Sequence, residues 1–158
     1  MVVTSPPRRR WVALPVFLVV VALVAVIGSL SASGSAAEYL SLQRPAWAPP
    51  QWLFGPVWTV LYILIAVAGW LTWTARGWSP AMTLYAIQLV LNAAWTPLFF
   101  AAGWYGVAFA ELCLLWVTIA ATMAAMWRIR RPAALLMAPY LLWVTYAGAL
   151  NFAIWQLN

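Results

Sequence analysis

Arg44–Tyr62, RPAWAPPQWLFGPVWTVLY, packs four prolines and three tryptophans into a loop that runs straight into an apolar helix. Pro45, Pro49 and Pro50 fix φ and push the residues before them toward extended geometry, which makes this part of the chain a stiff ramp. Pro56 falls early in the following apolar run, where a missing N–H costs least. A ramp of this kind can hold Trp47 and Trp52 over whatever the following helices enclose.

What surrounds the ramp is apolar almost throughout. Of 158 residues, 67% are hydrophobic and only 6% charged, against about a quarter charged in a soluble domain. Mean hydropathy is +0.93. The chain therefore reads as an integral membrane protein. A spanning helix needs about 20 mostly apolar residues, and five segments supply them: about 11–30, 51–73, 81–102, 105–127 and 133–155. The fold class is all-α, a bundle of five transmembrane helices forming a single domain over 1–158, with residues 31–50 as a lid loop. Cys113 is the lone cysteine and histidine is absent, so there is no disulfide framework and the usual haem or zinc ligand is missing. No metal and no cofactor are expected.

The N-terminus has two readings. PPRRR, an apolar run and then SASGSAA resemble a signal peptide. The run is about 20 residues, beyond the 7–15 of a signal core, so a retained first span is expected. Charge then orients the bundle. Arg8, Arg9, Arg10, Arg76, Arg128, Arg130 and Arg131 fall on one side, and Arg44 with Glu38 on the other. Arginine in short loops stays cytoplasmic. The N-terminus is therefore expected inside and the 31–50 loop and C-terminus outside, in a bacterial cytoplasmic membrane. The net charge of +6 is a topology signal: the arginines sit at span ends without a basic groove, so no nucleic-acid partner is expected.

Polar atoms inside spans mark candidate sites. The first span, with Pro15 and Gly28 but no buried charge, reads as scaffold. The second puts Trp58, Tyr62, Ala66, Gly69 and Trp73 on one face, which is a packing stripe or a cavity wall. In the third, Tyr85, Gln88, Asn92, Trp95, Thr96 and Phe99 gather amides and hydroxyls on one face, turned inward to a cavity or to interhelical hydrogen bonds. Pro97 breaks the ladder near Asn92 and Ala93. The fourth holds Glu111, with Thr118 and Thr122 on its side, as a functional carboxylate or a structural one. The fifth lines up Tyr140, Trp143, Ala147, Leu150 and Asn151, beside a small Gly148. At about 1.5 Å per residue, Trp58, Trp95, Trp143 and Glu111 all fall in the outer half, under the ramp. An aromatic cavity with a lid uses them all.

The strings RPAWAPPQW, FGPVWTVLY, LNAAWTPLFF and PYLLWVTYAGALNF, in this order, resemble the TspO/MBR family of tryptophan-rich sensory proteins and translocator proteins over about Tyr39–Asn158. The resemblance implies a five-helix bundle whose pocket is closed by the first long loop. It implies ligands such as protoporphyrin IX, other porphyrins, sterols and benzodiazepine-site compounds. The family's pocket residues carry over as Tyr39, Pro49, Trp58, Tyr62, Asn92, Trp95, Trp143, Ala147 and Leu150; Gln88 joins them from the polar face of the third span. Where family members degrade porphyrin in light, Trp58 and Trp143 occupy the corresponding catalytic positions. Two positions depart from the family: Glu38 replaces an aromatic before the loop, and Phe152 stands where the sterol pattern has Tyr, with no basic residue after it.

A flat aromatic ligand suits these residues, since each well-placed ring contact adds about 0.5–1.5 kcal/mol beyond burial. Its carboxylates need donors, from Asn92, Gln88, indole N–H groups or Arg44. Without histidine no nucleophile–base pair assembles, so hydrolysis is poorly supported. The expected function is a membrane sensor for porphyrins and related apolar ligands. The alternatives are light-dependent porphyrin degradation and transport of small hydrophobic molecules, although no inverted repeat supports a transporter. The lipid bilayer is a partner throughout, and small residues on several spans make a homodimer reasonable.

Overall fold

The computed structural model describes residues 7–158; the side chains of Arg8 and Arg9, which the charge argument counts, lie outside the described residues. The order is α1 (Pro7–Ala32), a short α2 (Ala36–Ser41), a 3-10 turn at Gln51–Leu53 leading into α3 (Phe54–Arg76), α4 (Pro80–Thr96), a π turn at Pro97–Ala101, α5 (Tyr105–Trp127) and α6 (Arg131–Leu157). Among the described residues, five helices are long and apolar enough to cross a membrane. The chain is an all-helical integral membrane bundle. The fourth span has the bounds read from the sequence, and the others shift by a few residues. The lid loop differs more, because AAEYLS inside it winds into α2.

Helix ends follow local chemistry. Gly77 takes a positive φ of 67° to close α3, a geometry that suits glycine. Ser79 is extended and Pro80 opens α4, where its missing N–H costs nothing. Pro97 cannot donate to the carbonyl four residues back, and the chain answers with a wider turn in which the Ala102 N–H donates to the Pro97 carbonyl at 2.9 Å.

The spans form a closed circuit: α1 packs on α3 and α4, α3 on α6, α6 on α5, and α5 on α4. The α3 and α4 helices meet over a shorter seam, at Gly69–Tyr85 and Tyr62–Asn92, and α1 packs on both. Lipid offers no hydrophobic drive between helices, so close packing and hydrogen bonds hold the circuit. Gly69 shows how tight this packing is. A Cβ there would come within 2.4 Å of the Tyr85 ring, and its absence lets the Tyr85 hydroxyl donate to the Ile65 carbonyl at 2.8 Å. The face Trp58–Tyr62–Ala66–Gly69–Trp73 is thus divided, with Ala66 and Gly69 in the packed core and its aromatic end lining cavities.

Exposed tryptophans ring both ends. Trp47, Trp52, Trp104 and Trp155 lie toward the lid, and Trp11, Trp78 and Trp127 toward the arginine-rich end, as expected of interfacial belts.

Candidate functional site

Two cavities meet beneath the lid. The larger, about 340 Å³, lies among α1, α3 and α4, with Ser35, Tyr39 and Gln51 toward the loop. Ligand cavities run from about 300 to 1,000 Å³, so this one is at the small end of that range. The inner one, about 20 Å³, is bounded by α3, α4, α5 and α6 and includes Asn92, Leu112, Trp143 and Ala147. Phe54, Trp58, Tyr62, Trp95 and Thr96 line both. They form the wall that separates a crevice from a nearly filled inner pocket.

The wall is aromatic and largely fixed. Trp58 stacks on Tyr62 with centroids 5.2 Å apart and meets the Tyr140 ring edge-on at 6.2 Å. A hydrogen-bonded chain then runs through three helices. The Tyr62 hydroxyl donates to Asn92 Oδ1 at 2.9 Å, Asn92 Nδ2 donates to the Tyr140 oxygen at 2.8 Å, and the Tyr140 hydroxyl donates to Gln88 Oε1 at 2.9 Å. A second link holds Trp95, whose indole N–H donates to Asn151 Oδ1 at 3.1 Å while Asn151 Nδ2 donates to the Tyr105 carbonyl at 2.8 Å. Interhelical hydrogen bonds in bilayers average about 0.6 kcal/mol, so these links act together to set helix position.

The lid is tied to α6. The Tyr146 hydroxyl donates to the Trp47 carbonyl at 2.8 Å, and the two rings are 5.8 Å apart. Asn158 and Gln43 exchange two hydrogen bonds, each 3.0 Å. Inside the lid Tyr39 is 3% exposed, edge-on to Phe54 at 5.7 Å, with the Arg44 guanidinium 4.8 Å from its ring centroid. Burial pushes the Tyr39 phenol above its ordinary pKa, while Arg44 draws it down. Phe54 in turn meets the Trp143 ring edge-on at 5.9 Å, which carries the contact from lid to inner pocket.

Of the residues read from the sequence, Tyr39, Trp58, Tyr62 and Trp95 line the crevice, and Trp58, Tyr62, Asn92, Trp95, Trp143 and Ala147 line the inner pocket. Pro49, Gln88 and Leu150 line neither. Pro49 is buried in the lid and its carbonyl is 3.4 Å from the Tyr39 hydroxyl; Leu150 packs with Tyr39, Phe99 and Ala108. Gln88 is fully buried with Nε2 unpartnered among the described residues. The amide of Asn92 is engaged by protein at both ends, and the single N–H of the Trp95 indole is engaged by Asn151. Trp143 Nε1 is buried with no partner among the described residues, which leaves an unused donor on a residue lining the inner pocket. Glu111 lines neither cavity, and both its carboxyl oxygens are buried without a partner among the described residues.

The scaffold reading of α1 needs correction. Ala25, Gly28, Ser29 and Ala32 form one side of the crevice. Their signal was the run of small residues at three- and four-residue spacing, the mark of close approach between helices. Phe54, Thr59 and Phe100 also line the crevice without having been singled out.

Comparison with known proteins agrees with this architecture. The model of the TspO/MBR family matches residues 16–156. The tryptophan-rich protein TspO of Chlorobaculum tepidum is 42% identical, over 76% of this chain and 78% of its own. The protein CrtK of Rhodobacter capsulatus is 36% identical over 90% and 91%. The translocator protein of Homo sapiens is 36% identical over 98% and 93%.

Proposed function

This chain belongs to the TspO/MBR family, as a membrane sensor or translocator, and from that premise we propose that it binds porphyrins of the protoporphyrin IX type at the wall between its two cavities. The supporting observation is the stacked Trp58–Tyr62 pair, which with Trp95 faces a cavity of about 340 Å³ beneath a tied-down lid. A flat ring gains stacking from that wall. The unpartnered Trp143 N–H supplies a donor for an acceptor on the ligand, and Arg44 at the rim attracts a carboxylate. The lid side is assigned to the outside of a bacterial cytoplasmic membrane. The five spans are assigned to one domain over 1–158.

Light-dependent degradation of the bound porphyrin is the second reading, favoured by Trp58 and Trp143 both lining the inner pocket. Phenylalanine keeps a stacking face but is much harder to oxidise than tryptophan. Titration with protoporphyrin IX, followed by illuminated difference spectra, tests both readings. Trp58→Phe should keep most affinity. Trp143→Phe should lose the part owed to one hydrogen bond, about 0.5–1.5 kcal/mol. If the protein degrades porphyrin, both variants should lose conversion. Conversion in wild type no faster than in free porphyrin leaves sensing alone, and absence of saturable binding removes the porphyrin reading.

A further inference from the structure

The crevice is roofed toward the loop and open at its flank. Ser35 and Tyr39 on the loop side are buried, and the ramp above is held by Tyr146 and Asn158. The exposed lining residues are Ser29 on α1 and Gln51, Gly55 and Thr59 at the start of α3. They mark a slot along the seam of α1 and α3. A Cβ added at Gly55 would meet no atom within 4 Å, and one at Gly28 would have only the Thr96 hydroxyl, at 3.6 Å. Both helices cross the membrane, so the slot gives onto bilayer.

We propose that this slot is an acyl-chain site. The tail of a phospholipid from the leaflet on the lid side enters between Ser29 and Gly55–Thr59 and lies along Ala25, Gly28 and Ala32 beside the Trp58 ring. Ala25 to Ala32 gives a wall about 10 Å long with no side chain larger than serine, which leaves width for a methylene chain. Ser29, Ser35 and Gln51 stand toward the lid end, where the ester and glycerol oxygens of such a lipid lie. An apolar space in contact with hydrocarbon fills without any dehydration step, and the chain gains dispersion contacts along its length. A ring ligand must displace this tail, so the lipid tunes the affinity of the site proposed above. The acyl-chain assignment itself stands whether or not that ligand is a porphyrin.

The test uses no porphyrin, which keeps its failure separate from that of the porphyrin reading. The full chain is reconstituted into vesicles of phosphatidylcholine, either plain or brominated in mid-chain, because bromine quenches indoles in contact with it. Emission from Trp58 is taken as wild type minus Trp58→Phe. Most of that emission should be lost in brominated vesicles and recovered with Gly28→Leu, which fills the α1 wall, and with Thr59→Phe, which blocks the slot. If Gly28→Leu does not fold, Thr59→Phe at its exposed position carries the comparison. Equal Trp58 emission in both lipids overturns the proposal. So does equal quenching in the plugged variants, and so does quenching by an added brominated fatty acid but not by the brominated phospholipid.

Discussion

Asn92 joins three helices through one side chain, accepting from Tyr62 and donating to Tyr140. Its inward direction was legible from the 3–4 spacing of polar residues on α4. Its partners were not, because spacing along one helix says nothing of which helices stand opposite. Asn92→Leu should therefore cost stability as well as ligand contact. Leaving the two hydroxyls without their amide partner costs about 1–3 kcal/mol, read as a lower thermal midpoint in detergent; an unchanged midpoint would show that the chain contributes nothing to folding. Glu111 is the opposite case. Its oxygens are buried and unpartnered among the described residues, which is a cost with no visible return. Glu111→Leu should raise the midpoint, by about 1–3 kcal/mol of stability. A fall in midpoint would mean that the carboxyl has a structural partner.

At the scale of elements, the ramp and the spans were readable because prolines and hydropathy act locally. The α2 turn within the lid and the role of α1 in the crevice were not. Both depend on how separate pieces meet: Tyr39 is placed by Phe54, and the small face of α1 matters only because it lines a crevice with α3 and α4. The lid is held from α6 at Tyr146 and from the chain end at Asn158, so loosening the first tie should free the lid around Trp47. Tyr146→Phe removes the bond to the Trp47 carbonyl while keeping the ring. Faster hydrogen exchange around Trp47 and Ala48 is expected, together with faster ligand release and an unchanged midpoint. Unaltered exchange would shift the clasp to the Gln43–Asn158 pair.

For the whole molecule, the arginines at one end and the lid at the other define an axis, and tryptophans encircle both ends. By the positive-inside rule the lid and the C-terminus are expected outside. A C-terminal reporter that is active only after export should be active, and one that works only in the cytoplasm should be silent; the reverse pattern inverts the bundle. The five spans could be counted from hydropathy alone. Their circular order could not, because it is fixed by contacts such as Trp58 against Tyr140 that no stretch of twenty residues contains.

The chain from Tyr62 through Asn92 and Tyr140 to Gln88 has a polarity: every hydrogen in it points away from Tyr62. With its hydrogen engaged by Asn92, the Tyr62 oxygen has only lone pairs left to offer. Trp143, which lines the same inner pocket, carries an N–H without a partner among the described residues. The inner pocket therefore offers one acceptor, at Tyr62, and one donor, at Trp143. At about 20 Å³ the inner pocket has room for a single water, and a water there satisfies both residues by donating to Tyr62 and accepting from Trp143.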